Sequence, residues 1–98
     1  MNFLTQSITK LIMKKEFKVI AQIIKNNKRV LDVGCGDGTL MEYLKLNQQN
    51  DVRGLEPQKD FVQKCIAKGL SVIEGDAEKE LILFPEKSFD YVPIDSLL

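Results

Sequence analysis

Residues Arg29–Gly38 read RVLDVGCGDG. A short aliphatic, β-branched run stops on glycines at alternate positions, Gly34, Gly36 and Gly38. The run predicts a buried strand. The glycines let the backbone turn sharply and come close to a ligand. A helical pattern follows from Thr39 to Leu46, with Leu40, Met41 and Leu44 inward. Thr39 and Glu42 have capping-box spacing, and Asp37 is a competing cap. A strand, a glycine loop and a helix in succession aim helix amides at an anionic group such as a carboxylate. The dinucleotide pattern G-x-G-x-x-G would need glycine at position 39, where Thr39 stands, and the G-K-[ST] of a P-loop is absent.

Outward from this loop, strand and helix patterns alternate. Upstream, Ile8, Leu11 and Ile12 share one helical face, and Phe17, Ile20, Ile23 and Ile24 continue a second helix that ends near Asn26-Asn27. Downstream, Asp51–Glu56 reads as a second strand closed by Pro57. From Lys59 to Lys68 the apolar positions Val62, Cys65 and Ile66 mark another helix, with Gly69 as its stop. Leu70–Glu74 reads as a third strand ended by Gly75-Asp76. Ala77–Phe84 is a loop or short helix, and Ser88–Val92 starts a fourth strand. Strands alternating with helices predict an open α/β sheet with parallel neighbours. Ligands in such sheets sit beyond the carboxyl ends of the strands, where Asp32, Glu56 and Asp76 fall.

Composition narrows the chemistry. The 98 residues fit one domain at most, with 44% hydrophobic and 29% charged content typical of a folded chain. There is no histidine, so a Ser-His-Asp triad, a Cys-His pair and an H-E-x-x-H zinc site are excluded. Cys35 and Cys65 lack metal or redox spacing, which makes a reduced, cytoplasmic setting the default. Met1–Ser7 carries no charged side chain, unlike the basic start of a signal peptide, and no apolar run approaches the ~18 residues of a membrane span. The zero net charge hides an asymmetry: residues 1–29 carry +6 and residues 30–98 carry −6. No aromatic residues interleave with the basic ones as nucleic-acid stacking would need, so the arm reads as a solvated helix face.

An acidic residue ahead of G-x-G-x-G resembles the first motif of class I S-adenosylmethionine-dependent methyltransferases. The resemblance narrows on RVLDVGCGD at 29–37, VRGLE at 52–56, GLSVIEGD at 69–76 and FPEKSFDYV at 84–92. Together these resemble the MetW-like methionine biosynthesis proteins, over roughly residues 16 to 92. The resemblance implies a Rossmann-like, three-layer α/β fold with a mostly parallel sheet and S-adenosylmethionine as cofactor. It implies that Asp32, Gly34, Gly36 and Gly38 line the methionine end, that Cys35 belongs to the same cofactor-binding loop, that Glu56 holds the ribose and that Asp76 lies near adenine. Gly75-Asp76 is equally a good turn pair. It also implies homoserine O-acyltransferase as a possible protein partner.

Two departures shape the expectations. The family continues its fourth strand with a pattern close to ILSQTL, whereas Pro93-Ile94-Asp95-Ser96-Leu97-Leu98 stands here. The class I fold orders seven strands as 3-2-1-4-5-7-6 in about 150–200 residues, so only the first four are expected. The expected division is a helical lead-in over 1–28 and a partial, truncated cofactor-binding domain over 29–98. Strand four would then be an edge where homodimers form, with Pro93 tolerated there. Cys35 and Cys65 are expected to be structural, since no histidine activates them. No catalytic residue, metal, nucleic acid or membrane is implied. A non-catalytic cofactor sensor, an acyltransferase-docking module, an inactive remnant and an NAD-binding protein stand as alternatives to a methyltransferase.

Overall fold

The computed structural model describes residues 17–95. Strands β1 (Arg29–Val33), β2 (Asp51–Glu56) and β3 (Ser71–Glu74) form one parallel sheet in the order β1-β2-β3. Helix α1 covers residues 17–24. Helices α2 (Thr39–Gln48) and α3 (Lys59–Ala67) make the two crossovers that parallel pairing requires. A single turn, α4 (Ala77–Glu80), runs into a 3-10 turn at Leu81–Leu83. Among the described residues no helix is long and apolar enough to cross a membrane. Ile8, Leu11 and Ile12 lie outside the described residues.

Side chains alternate along β1 and so divide the core into two layers. Val30 faces the helices, packing with Ala21 and Ile24 of α1, Leu40, Met41 and Leu44 of α2, and Cys65 of α3. Leu31 and Val33 face the other way, with Leu55 of β2, against Ala77, Phe84 and Phe89. The Phe84 and Phe89 rings meet edge to face at 5.3 Å. This double burial is why Val30–Val33 is apolar apart from Asp32, with Arg29 left exposed at the start of the strand.

The helix stops follow local chemistry. Gly69, at φ +76°, ends α3. Its N–H donates to the Ile66 carbonyl and that of Leu70 to the Cys65 carbonyl, a Schellman motif. The start of α2 differs from the capping-box expectation. Asp37 accepts from both the Thr39 N–H (3.1 Å) and the Thr39 hydroxyl (2.6 Å), while Glu42 pairs with Lys68 at 3.0 Å. Asp37 wins because Gly38 turns left-handed between them and carries it back over the first amide. Ile23 and Ile66, expected inward, are exposed. The sheet under α3 ends at β3, itself mostly exposed, so Ile66 overhangs nothing.

The fourth strand is also corrected. Residues 91–94 lie parallel beside β1, on the side away from β2, but only as isolated bridges of Tyr91 to Val30 and Ile94 to Val33. Leu31 N–H donates to the Tyr91 carbonyl at 3.1 Å and Val33 N–H to the Pro93 carbonyl at 3.0 Å. The next rung would be a donation from residue 93 back to β1, and proline has no N–H to give. Pro93 therefore breaks the ladder without moving the segment, and the spatial order stays 3-2-1-4. The segment is anchored upstream by Asp90, whose carboxylate accepts from the Arg29 N–H at 2.8 Å and pairs with its guanidinium at 3.1 Å.

Candidate functional site

The glycine loop leaves β1 across the end of β2. Gly34 N–H donates to the Leu55 carbonyl at 2.8 Å, and the loop then passes through left-handed φ values of +70°, +58° and +88° at Gly34, Gly36 and Gly38. Gly38 is the most constrained. A Cβ there would collide with Leu70 Cδ1 and stand 3.1 Å from Cys65 Sγ. Gly54 of β2 is required for a different reason. A Cβ there would lie 2.6 Å from both Cys35 Sγ and Met41 Sδ, so its bare backbone makes room for the loop's cysteine.

Glu56, the last residue of β2, is buried. One of its oxygens accepts from Gly36 N–H at 3.0 Å and the other from Gln58 N–H at 2.8 Å. It thus ties the glycine loop to the turn that starts α3. A cleft of about 300 Å³ opens at these strand ends, lined by Val33, Gly34, Leu55, Glu56, Asp76 and Ala77. Asp76 caps α4, accepting from Glu78 N–H at 2.9 Å, and stays exposed at the cleft wall. The strand-end acids that the sequence singled out, Glu56 and Asp76, therefore share one cleft.

Asp32 is different. It is 0% exposed, on the helix-facing side of β1, and neither of its oxygens has a hydrogen-bond partner among the described residues. Its cross-strand neighbour is Gly54, which offers no side chain. Burial, then the neighbouring carboxyl of Asp95, then Glu56 push its pKa far above the usual carboxylate range. Asp95 is raised as well, chiefly by burial. Sequence reasoning missed Asp95. The signal was present in the strand order: a segment running parallel beside β1 brings Asp95, two residues after Pro93, to the same end of the sheet as Asp32.

The Cys35 thiol points into the core rather than the cleft. It and Cys65 both approach the Gly36 carbonyl, Cys65 Sγ at 3.2 Å and Cys35 Sγ at 3.9 Å. Burial pushes both thiols up, Cys35 strongly, so neither is an activated nucleophile. The Cys35 backbone is engaged as well, its N–H donating to the Leu55 carbonyl at 3.3 Å and its carbonyl accepting from Gly38 N–H at 3.1 Å. Among the described residues no cluster of three or more acidic or cysteine side chains is placed to hold a metal ion.

A parallel sheet in the order 3-2-1-4, with a glycine loop after β1 and an acid after β2, defines a Rossmann-like methyltransferase fold. A solved S-adenosylmethionine-dependent methyltransferase from Archaeoglobus fulgidus superposes with a TM-score of 0.71 at 25% identity, covering 93% of this chain and 42% of that one. The chain belongs to the methionine biosynthesis protein MetW family, whose model matches residues 14–98. It is 36% identical over 77 residues to a fatty-acid O-methyltransferase of Mycolicibacterium smegmatis, covering 74% of this chain and 27% of the relative. It is 28% identical over 87 residues to a bifunctional methionine biosynthesis protein MetXA/MetW of Rhodopirellula baltica, covering 81% of this chain and 14% of that protein. The chain thus spans well under half the length of the curated relatives it matches. It is a methyltransferase-like protein of a methionine-biosynthesis family.

Proposed function

We propose that this chain binds S-adenosylmethionine at the carboxyl ends of β1, β2 and β3, with residues 29–98 as the cofactor-binding portion and residues 1–28 as a helical lead-in. The observation that carries the reading is Asp32, a fully buried carboxyl beside the glycine loop with both oxygens unpartnered. A buried carboxylate without a donor calls for a cationic partner. S-adenosylmethionine brings two cationic groups, an ammonium and a sulfonium. The residues present fit the rest of the molecule too. Each Glu56 oxygen uses one lone pair on a backbone N–H and keeps another for a ribose hydroxyl. The backbone of Gly34, Cys35, Gly36 and Gly38 lets the ligand lie close, and Asp76 is in reach of a base at the outer wall of the cleft.

When bound, the cofactor supplies a methyl group on a sulfonium, ready for in-line transfer to a nucleophile. This chain's own residues bind and orient it, and no side chain among them is assigned as a general base. The acceptor side belongs to parts of the fold that the longer relatives carry. A cytoplasmic setting, and a homoserine O-acyltransferase partner of the kind the resemblance implies, belong to the same proposal. The partner is supported by the Rhodopirellula baltica relative, a bifunctional protein whose name joins MetXA to MetW. A homodimer through the 91–94 edge is supported by the exposure of Val92 and Ile94 there.

Calorimetric titration tests the binding. S-adenosylhomocysteine is expected to bind and NAD not to bind. Glu56→Ala removes the ribose acceptor and Gly36→Val strains the left-handed loop, so each is expected to weaken binding at least tenfold. Folded protein that takes up NAD but not S-adenosylhomocysteine would reverse the assignment.

A further inference from the structure

We propose that Asp32 and Asp95 act as one carboxyl pair that holds a single proton in the ligand-free protein and gives it up when a cation enters the site. The proposal rests on the S-adenosylmethionine reading and adds to it a residue, Asp95, and a coupling between ligand uptake and proton release. Asp32 sits at the carboxyl end of β1, and the Val33–Ile94 bridge and the Val33-to-Pro93 hydrogen bond bring Asp95 to that same end. No N–H or O–H of the described residues reaches Asp32. With Val33 opposite Ile94, Asp32 stands opposite Pro93, and Asp95, two residues on, returns to the same face as its diagonal neighbour; its carboxyl raises the pKa of Asp32. Asp32 is fully buried and Asp95 half-buried, and two neighbouring carboxyls so placed do not both stay ionised. One proton between them supplies the O–H donor that Asp32 otherwise lacks.

The surrounding groups do not offer another solution. Glu56, from β2, acts on Asp32 as a further acid, but its two oxygens are already held by backbone N–H groups. Asp37, from the glycine loop, keeps its charge through Thr39 and adds repulsion on Asp95. Cys35, also from the loop, is held as a neutral thiol by burial. The pair therefore carries one negative charge when empty. Losing its proton as a monocation arrives leaves the total unchanged, so the low-polarity site never holds an uncompensated double charge. A dinucleotide such as NAD, with its anionic pyrophosphate, has no such exchange to offer at this position.

Two measurements on the intact chain test the coupling. Carbon-13 spectra of the side-chain carboxyls of the ligand-free protein are expected to show one of the Asp32–Asp95 pair protonated at pH 7. Calorimetry with S-adenosylmethionine, in buffers of different ionisation enthalpy, is expected to show release of about one proton per ligand. The apparent affinity then rises up to about tenfold per pH unit while the pair stays protonated. In Asp95→Asn the amide donates to Asp32 in place of the shared proton, so the proton release and the pH dependence should both vanish. Two ionised carboxylates at pH 7, or binding heat independent of the buffer, would overturn the coupling and leave the cofactor reading standing. A protonated pair in a chain that gives no heat with S-adenosylmethionine would instead overturn the cofactor reading and the coupling with it.

Discussion

Asp32 occupies the one position in β1 where the apolar run is interrupted, and that interruption is what made it legible in the sequence. Its price in the folded chain is a buried carboxyl without a donor, a group whose desolvation costs about 1–3 kcal/mol or more. Because burial raises its pKa, the folded chain binds more protons than the unfolded one above the ordinary value of about 3.9. The stability linked to Asp32 is complete below that value and falls as pH rises through the raised folded pKa. Thermal melts of ligand-free protein should therefore show stability declining from mildly acidic to mildly alkaline pH. Asp32→Asn should flatten that slope and stabilise the chain at pH 7 by about 1–3 kcal/mol. Gly54 gave no such signal, since a glycine inside a strand reads only as a weakness. Its role comes from Cys35 and Met41 crossing over it. Gly54→Ala is expected to cost about 1–3 kcal/mol by overpacking, measured by denaturant unfolding.

At the scale of elements, the strands and helices were readable where hydrophobic period and punctuation agreed. The second strand, the start of α3 and the Gly69 stop are of this kind. What escaped depended on partners distant in sequence. Whether Ile66 is buried depends on how far the sheet extends beneath α3, and whether residues 91–94 form a continuous ladder with β1 depends on one missing N–H at Pro93. Pro93→Ala should restore that donor opposite the Leu31 carbonyl. Hydrogen exchange is expected to show the amide of residue 93 protected in this variant. Overall stability should change little, because the added hydrogen bond offsets the greater freedom of the unfolded chain. Gly69→Ala forces a non-glycine residue into a left-handed position and should cost about 1–2 kcal/mol, read from the same unfolding curves.

At the scale of the molecule, the open parallel sheet and the gathering of Glu56 and Asp76 at one end followed from alternation of strands and helices, whereas the order 3-2-1-4 came from the family resemblance. Asp95 was not read because its segment departs from the family's pattern at Pro93. The completed order leaves residues 91–94 at an edge and Ile82 and Leu83 widely exposed, 81% and 71%. A chain of this size has a limited core, so ligand should shift its stability visibly. A hundredfold excess of S-adenosylhomocysteine over its Kd adds about 2.7 kcal/mol. For a domain this small that corresponds to a Tm increase of roughly 10–20 °C, checked by differential scanning calorimetry.

The double hydrogen bond of Glu56 has a kinetic consequence. Because Gly36 and Gln58 already hold it, the glycine loop has its binding shape before any ligand arrives. Entry then needs no slow rearrangement of the loop, only encounter. Stopped-flow traces should be single exponentials whose observed rate climbs in proportion to ligand concentration without levelling off. Removing the tether in Glu56→Ala, which deletes both acceptors, should introduce a plateau as loop closure becomes the slow step.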